Sequence, residues 1–317
     1  MDVIAGTGFG IEVNSQKDLN DPFVRDAAGL VEEIFTQKGL FMSLAKTAPF
    51  LIPFIRFLVT NFFQPRGWKS FGENLHRIIE DRKLEGNMNL LLSCEVTQSP
   101  EKDQMNVLSE VEVVAEAMIL LTAGHEMTAN TLQYLTFALA LHPQVQEKVV
   151  REINQQLGDE TPTYEGVSKL KYLDCVIQET LRMYPSVNST NRMASEEVTI
   201  KGITIPKGAG VLIPIANVMK DPEYFPEPDK FIPERFSEDN INPISFLAFG
   251  YGPRLCIGMR LALLQMKIAM VHVLRRVKFI KTNDLQEILK IKPGSLFNLP
   301  DQVIAISGEM RDTANIA

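Results

Sequence analysis

The feature that most constrains the fold is an uninterrupted run from Ser109 to Leu141, which contains no proline and is nearly all apolar between Ala115 and Gly124. At a rise of roughly 1.5 Å per residue, this run predicts a single helix about 50 Å long. Because apolar residues occupy every side of it, the helix is expected to be buried on most sides. The chain has 317 residues and is 45% hydrophobic, so it can build a core around such a helix.

The remaining helix and strand signals predict a mainly α fold with a small β region. His142-Pro143 ends the long helix and starts the next one, which Gly158 stops. Lys201-Gly202 is the predicted turn of a hairpin. Neither repeats nor a shift in composition divides the chain, so a single domain over 1–317 is expected. The segments expected to be regular are helices over 144–157 and 169–183, the hairpin over 198–206, and strands over 210–216 and 302–306.

A loop from Phe249 to Gly258 carries a lone cysteine just ahead of an amphipathic helix. The helix start offers unpaired N–H groups and a positive dipole end, which favour the metal-binding thiolate form of Cys256. Gly252 and Gly258 allow tight turns and close approach to a flat macrocycle, Arg254 suits a propionate, and Phe249 shields the sulfur from water. We therefore interpret Cys256 as a ligand of haem iron. The alternative is a buried structural cysteine in a turn before a core helix.

The pattern F-x-x-G-x-R-x-C-x-G specifies five positions within ten residues, and on these residues the chain resembles the cytochrome P-450 family. The resemblance implies the mainly α P-450 fold, haem b as the cofactor and Cys256 as the axial ligand of the iron. It also implies that Arg192 reaches a haem propionate. The likeness extends along essentially the whole chain and is greatest to the drug-oxidising animal group and to thromboxane synthase.

Glu179 and Arg182 lie three residues apart on one predicted helix, and Arg235 follows in the proline-rich stretch 220–236. Alone, such a pair is most often a solvated ion pair at the surface. In the family that the chain resembles, an E-x-x-R helix, a proline-rich meander with its own arginine and the cysteine loop follow one another in this order. The resemblance therefore implies a structural charge triad that holds the cysteine loop, and an ordered meander.

Residues 123–128 resemble, imperfectly, the family's oxygen-activating segment A-G-x-(D/E)-T-(T/S). The resemblance implies that Gly124 lets the helix loosen beside the haem and that Glu126 belongs to a proton path. Met127 stands where the family usually has threonine, and a thioether cannot donate a hydrogen bond. Thr128 is displaced by about 100° around the helix, so its hydroxyl is a candidate rather than an equivalent donor. The alternative is that Gly124 and Glu126 are ordinary helix residues.

Charge and cysteine content exclude some classes of function. A net charge of −7 gives no basic footprint for nucleic acid, so no nucleic-acid partner is expected. Cys94, Cys175 and Cys256 are too few and too widely spaced for a disulfide framework, which favours a reducing compartment. Cys175 lies in a helical run, where a thiol usually serves as a small apolar side chain. The isolated histidines are assigned no metal: His76, His125, His142 and His272.

No signal peptide is visible in the first residues, and no segment reaches the roughly 20 apolar residues that a bilayer requires. The best candidate, 48–63, is interrupted by two prolines and Arg56, and it fits burial in the core and contact with a membrane surface equally well. The resemblance implies the cytosolic face of the endoplasmic reticulum membrane, electrons from an NADPH-dependent reductase, and a lipophilic substrate. The resemblance also implies that residues after Pro185 and the turn at 294–300 line the substrate side, although Leu296 and Phe297 of this turn fit burial in the core equally well.

Three functions follow from these features. The leading one is a haem-thiolate monooxygenase that inserts one oxygen atom of O2 into a lipophilic substrate. Met127 keeps open a thromboxane synthase-like isomerase of a lipid endoperoxide, which needs neither dioxygen nor a reductase. The relatives carry further segments before the point where this chain begins, so the resemblance covers the C-terminal two-thirds of the family domain. An inactive, truncated haem protein is therefore the third expectation.

Overall fold

The computed structural model of the chain describes residues 1–18, 20–36, 70–78, 110–237, 241–287, 289–291 and 297–311. These residues confirm the predicted class, because long helices dominate and the strands are short. The described α-helices of five residues or more are α1 (Pro22–Thr36), α2 (residues 70–78), α3 (Glu110–Leu141), α4 (Pro143–Leu157), α5 (Tyr164–Ser168), α6 (Lys171–Met183) and α7 (Met259–Leu274). The strands are β1 (Thr190–Met193), β2 (Val198–Ile200), β3 (Ile203–Ile205), β4 (Gly210–Ile213), β5 (Val277–Ile280) and β6 (Ser307–Met310).

The chain divides into two compact units, Met1–Met127 and Thr128–Ala317. In the first unit, the ring of Phe23 on α1 lies 5.8 Å from that of Phe9 and 5.5 Å from that of Phe71. The buried carboxylate of Asp26 on α1 accepts a hydrogen bond from Ser70 Oγ on α2, at 2.8 Å. The expected single domain over 1–317 stays a prediction.

Helix α3 has the predicted extent, from Glu110 to Leu141. The expectation of burial on most sides holds in its second half and is wrong in its first half, where Ile119 is 63% exposed and Ala123 is also exposed. Within the first unit, Gly8 and Ile4 approach Leu120 and Gly124, which lie four residues apart on one side of the helix. Ile119 and Ala123 share a different side, about 100° away.

The core of the second unit forms where α4, α5, α6 and α7 pack against the second half of α3. On α4, Val149, Ile153 and Leu157 recur every four residues, so one apolar stripe of this helix enters the core. Pro143 is tolerated in the first turn of α4 because its missing N–H has no intrahelical partner there. The helix ends before Gly158, whose φ of +49° few other residues adopt. Both predicted boundaries are confirmed.

Two other boundaries differ from the prediction. Helix α6 begins at Lys171 rather than at 169, because the preceding residues form the separate helix α5 and Leu170 is the N-cap of α6. Strand β4 ends at Ile213 rather than at 216, because Pro214 has no N–H to donate to a partner strand. The residues after this proline form a helical turn, Ile215–Val218.

The strands form three antiparallel pairs, β1 with β4, β2 with β3 and β5 with β6. The β2–β3 hairpin confirms the prediction, and its turn at Lys201 and Gly202 has φ values of 48° and 80°, as a type I′ turn requires. The predicted strand over 302–306 is wrong, because β5 pairs with 307–310 instead. The side chains of Ile304 and Ile306 pack against a small apolar cluster around Phe137, so their alternating pattern reflects burial without strand pairing.

Candidate functional site

The cysteine loop lies in the second unit, immediately before α7. A 3-10 turn, Gly252–Arg254, leads into it, and the Cys256 N–H donates to the Phe249 carbonyl at 2.8 Å, which closes the loop. Cys256 is exposed, whereas Cys175 is buried in α6, and burial raises the pKa of the Cys175 thiol. The exposure of Cys256 argues against the alternative of a buried structural cysteine. The loop thus presents one accessible sulfur ahead of a helix start.

The glycines of the loop differ in what they require. Gly252 has φ of +74°, which supports the prediction of a tight turn there. Gly250 has φ of +78°, a second tight turn that the sequence analysis does not predict, although the spacing of Gly250 and Gly252 indicates it. Gly258 is the N-cap of α7 with φ of −87°, a conformation open to any residue. Gly258 therefore stays a candidate only for close approach to a ligand.

Two predicted cations lie in the second unit with different surroundings. Arg254 is exposed and forms no hydrogen bond or ion pair with another residue in the described part of the chain. Arg192 lies on the exposed strand β1, where its Nη1 donates to Thr190 Oγ1 at 3.1 Å and to the Asn191 carbonyl at 2.8 Å. Arg254 has all of its donors available for a carboxylate, and Arg192 is held by its own strand. Phe249 is half-buried and packs against the main core.

The structure brings Glu179, Arg182 and Arg235 together. Glu179 Oε2 accepts from Arg182 Nε at 2.7 Å, and Glu179 Oε1 accepts from Arg182 Nη2 at 3.0 Å and from Arg235 Nε at 3.1 Å. Oε1 also accepts from the Ile232 N–H at 2.8 Å. Glu179 and Arg182 are both fully buried, so they are not the solvated surface pair that the spacing alone favours.

The same arginines bind the backbone of the proline-rich meander. Arg182 donates to the carbonyls of Met219 and Pro228, at 3.0 and 2.8 Å. Arg235 donates from Nη1 to the Pro226 carbonyl at 2.9 Å. The 220–236 stretch is ordered as predicted, because these charged donors satisfy carbonyls that no helix or strand pairs.

The predicted oxygen-activating segment spans both units, with Gly124 and Glu126 in the first and Thr128 in the second. Helix α3 stays regular at Gly124 instead of loosening, and a Cβ there would lie 2.7 Å from Ile4 Cδ1. Glu126 Oε1 lies 3.0 Å from His125 Nδ1, but the two atoms are not aligned for a hydrogen bond. Thr128 is buried, and its hydroxyl forms no hydrogen bond with another described residue.

Several predictions fall outside the described residues: Cys94, the apolar stretch 48–63, and the first part of the 294–300 turn. Within the ranges that the structure covers, no helix is both long and apolar enough to cross a membrane. In those ranges, no three histidine, cysteine or acidic side chains gather into a group that could hold a metal ion.

The accessible residues of the loop fit haem as the ligand. An exposed thiol is a ligand that haem iron accepts, and a free guanidinium matches a propionate carboxylate. The Cys256 N–H bond also holds the backbone of Phe249 next to the cysteine. Because Cys256 is exposed, the shielding of its sulfur by Phe249 stays a prediction. Together these features define a class of mainly α proteins that bind a metal macrocycle through a thiolate.

The chain belongs to the cytochrome P450 family: the family model described as Cytochrome P450 matches residues 1–305. Membership implies haem b as the cofactor. The chain is similar to Cytochrome P450 3A7 of Homo sapiens, at 38% identity over 98% of this chain and 63% of that protein. It is also similar to Cytochrome P450 3A9 of Rattus norvegicus (38%, 98% and 63%) and to Cytochrome P450 3A28 of Bos taurus (36%, 96% and 61%). The chain thus spans less than two thirds of the length of these relatives.

Proposed function

We propose that the chain is the haem-binding part of a haem-thiolate monooxygenase that inserts one oxygen atom of O2 into a lipophilic organic substrate. The exposed Cys256 thiol, in a loop closed by its own N–H bond to Phe249, carries this proposal. Haem, when bound, supplies the activation of dioxygen. One oxygen atom enters a C–H bond of the substrate, and the other leaves as water after it takes up two protons and two electrons, which a reductase delivers from NADPH.

Each residue of the site has a proposed part in this reaction. Cys256 is proposed to bind the iron as a thiolate, and Phe249 is proposed to exclude water from the sulfur, now exposed, once haem is bound. Arg254 is proposed to bind a haem propionate with its guanidinium. Arg192, which lies on β1, is also proposed to bind a haem propionate. Gly252 and Gly250 give the loop its two left-handed turns, and Gly258 leaves room beside the macrocycle.

Proton delivery is proposed for Glu126 and Thr128. The carboxyl group of Glu126, which lies beside His125, is proposed to pass a proton onward, and the hydroxyl of Thr128, which bonds to no other described residue, is available to donate to a ligand. Gly124 is proposed as the point where α3 opens toward a ligand. Its Cβ-free side is filled by the terminal methyl of Ile4, a flexible side chain that can move away.

The triad is proposed to keep the meander in place so that the cysteine loop has a rigid base. Glu179 and Arg182 belong to α6, and Arg235 belongs to the meander, which continues through 241–248 into the loop. Partly buried apolar residues of that connection, Phe246 and Ala248, pack both on the main core and on a cluster that includes Phe225 of the meander.

The partners and the location follow from membership of the family and are proposals. We propose an NADPH-dependent reductase as the electron donor and the cytosolic face of the endoplasmic reticulum membrane as the location, with contact to the membrane surface. Flotation of the full chain with phosphatidylcholine vesicles tests the contact. Recovery of all protein in the bottom fraction would remove that part of the proposal.

Turnover with and without NADPH tests the monooxygenase. Haem-loaded protein supplied with a reductase, NADPH and a lipophilic C–H substrate should form hydroxylated product, and Cys256→Ser should abolish it. Met127→Thr restores a hydroxyl at the threonine position and should raise the share of NADPH electrons that end in product. Met127→Val, which has the same branching without the hydroxyl, is the matched control and should not. Absence of NADPH-dependent product contradicts the monooxygenase.

Met127 supports a second candidate, an isomerase of a lipid endoperoxide. A peroxide substrate already contains the O–O bond, so the reaction has no need of a hydroxyl at position 127. For this function, haem-loaded protein should consume cumene hydroperoxide as a probe without NADPH, and the rate should be equal in Met127→Thr and wild type. Strict dependence of turnover on NADPH removes this candidate.

A further inference from the structure

A buried hydrogen-bond network in the second unit joins helix α3 to the C-terminal turn. Asn130 Nδ2 and Tyr134 Oη, one helical turn apart on α3, both donate to the main-chain carbonyl of Asn298, at 2.9 and 2.7 Å. The N–H of Asn298 donates in turn to the Ser186 carbonyl at 3.1 Å. Three segments that are distant in the sequence therefore meet at the backbone of one residue, Asn298. We call these four residues the Asn298 clamp.

The surroundings of the clamp keep it rigid. Asn130, Tyr134 and Asn298 are almost completely buried. The ring of Tyr134 stacks on that of Tyr184, with centroids 4.7 Å apart and planes within 9°. Burial raises the pKa of Tyr134 above its usual value, so its hydroxyl keeps its proton and remains a donor. Next to the clamp, the hydroxyl oxygens of Thr131 and Ser186 lie 3.1 Å apart, within hydrogen-bond distance.

The side-chain oxygen of Asn130 does not contribute to the stability of the fold. Asn130 Oδ1 is buried and has no hydrogen-bond partner among the residues that the structure describes. An unpaired buried acceptor destabilises a fold relative to an apolar side chain of the same shape. Exchanging the positions of Oδ1 and Nδ2 would not give Oδ1 a partner, because Oδ1 would then face the carbonyl oxygen of Asn298. The position thus trades stability for the Nδ2 bond that holds the turn.

The segments that the clamp joins each adjoin a residue of the proposed site. Asn130 follows Thr128 by two residues on α3, and Ser186 precedes β1, which carries Arg192. An antiparallel bridge between Val187 and Phe297 places two partly buried apolar residues beside the clamp. A shift of the Asn298 backbone would therefore move the side chains of Val187 and Phe297. It would also move helix α3 and the start of β1, which carry residues of the proposed site.

We propose that Asn130 and Tyr134 are positioning residues that set which lipophilic ligands the site accepts, by fixing the Phe297–Asn298 turn against α3. This inference rests on the proposed function, because it concerns ligands of the same haem site. Neither residue needs to touch a ligand. Both act through the Asn298 carbonyl, and the apolar side chains at Val187 and Phe297 present the shape that a ligand meets.

Two variants test the clamp without removing volume. Tyr134→Phe deletes one hydroxyl, and Asn130→Leu replaces the amide by an apolar group of similar size and removes the unpaired acceptor. The probes are imidazole and 1-phenylimidazole, titrated into haem-loaded protein by absorption spectroscopy. Imidazole reports access to the iron alone, and the phenyl group adds the apolar contact. The matched control is Tyr172→Phe, which deletes a hydroxyl bond to Glu234 elsewhere in the second unit.

The inference predicts that the ratio of the two dissociation constants changes about threefold to tenfold in each variant, the range expected for the loss of one buried hydrogen bond. The ratio should stay constant in Tyr172→Phe. Asn130→Leu should keep or raise the melting temperature while it changes the ratio, which a purely structural role would not produce. An unchanged ratio in both variants overturns the inference.

Hydrogen exchange gives a reading that does not depend on haem. The Asn298 amide should exchange faster in Tyr134→Phe and Asn130→Leu than in wild type, with no change in Tyr172→Phe. If the wild-type protein binds no haem, the proposed function fails and exchange still decides whether the clamp holds the turn. Faster exchange together with an unchanged ratio contradicts the link to ligand selection, and unchanged exchange contradicts the clamp itself.

Discussion

Arg182 shows how a single residue can hold a segment that has no regular structure. Its guanidinium is fully buried, and its bonds run to both oxygens of Glu179 and to carbonyls of the meander. A buried charge is costly unless it is paired and hydrogen-bonded, and here both conditions are met. Lysine could not replace it, since an ammonium lacks the planar fork that reaches a carboxylate and carbonyls at the same time.

Removal of the Arg182 charge is predicted to destabilise the fold strongly. Arg182→Met leaves Glu179 buried without its main partner, so the free energy of unfolding should fall by about 3–5 kcal/mol. Urea denaturation followed by circular dichroism measures this. The control is Lys230→Ala, which removes an exposed i, i+3 pair with Glu227 and should change the midpoint far less. Equal effects of the two substitutions would contradict a structural role for the triad.

His142 is predicted to make stability depend on pH. Burial lowers the pKa of this imidazole, which stacks on Phe231 with centroids 4.9 Å apart. The unfolded chain binds the His142 proton more readily than the folded chain. The free energy of unfolding is therefore highest above about pH 6.5, the usual pKa of histidine, and falls as the pH drops from there toward the lower pKa of His142 in the folded state. Chemical denaturation between pH 7.5 and 5 should show this loss, and His142→Phe should reduce it. An identical pH profile in the variant would exclude His142 as the cause.

At the scale of elements, a carboxylate on one helix caps another. Glu152 of α4 accepts from the N–H groups of Tyr172 and Leu173, at 2.7 and 2.9 Å, in the first turn of α6. These groups have no partner within their own helix, and the positive end of the helix favours the negative charge. The start of the helix that carries Glu179 and Arg182 is therefore set by a residue about 20 positions earlier.

Loss of this cap is predicted to destabilise the fold by about 1 kcal/mol in Glu152→Ala, the usual cost of losing a helix cap. Glu152→Gln keeps one acceptor and should lose less. Thermal unfolding compares both with Glu197→Gln, a substitution at an exposed position of the second unit. If Glu152→Ala unfolds at the same temperature as Glu197→Gln, the cap contributes nothing to stability.

What the sequence predicts well is local in origin. The bounds of α4 follow from Pro143 and Gly158, and the β2–β3 turn follows from Gly202, since each of these residues limits its own backbone. The strand expected over 302–306 is wrong because strand pairing depends on distant residues, and β5 selects 307–310. The Asn298 clamp could not be predicted for the same reason, since Asn130 and Asn298 are 168 residues apart.

The candidate site divides along the same line. The identity of Cys256 and the order of the triad residues are visible as short motifs. The left-handed backbone of Glu227, with φ of +53°, is not visible in the sequence, because glutamate rarely adopts this conformation unless other residues stabilise it. Arg235 stabilises the conformation of Glu227 by donating to the carbonyls of Pro226 and Lys230, which lie on either side of Glu227 in the chain. The sequence therefore predicts which residues matter, and only the structure shows what they hold.

At the scale of the whole molecule, the β1–β4 pair predicts self-association. Met193 and Leu212 lie on the same face of this pair and are 76% and 63% exposed. Large exposed apolar side chains on a two-stranded sheet favour contact with other molecules. Sedimentation velocity at rising concentration should show association that Met193→Lys with Leu212→Lys reduces. Equal distributions for this double variant and the wild type would contradict the prediction.

The proposed function depends on one bond between the Cys256 sulfur and haem iron. The most direct measurement is the absorption spectrum of haem-loaded, reduced protein under carbon monoxide, because a thiolate ligand gives a strongly red-shifted band. We expect this band in wild type and in Cys175→Ser, the matched control that removes a buried thiol, and we expect its loss in Cys256→Ser. A wild-type spectrum without the band, or a band that survives Cys256→Ser, would contradict the account.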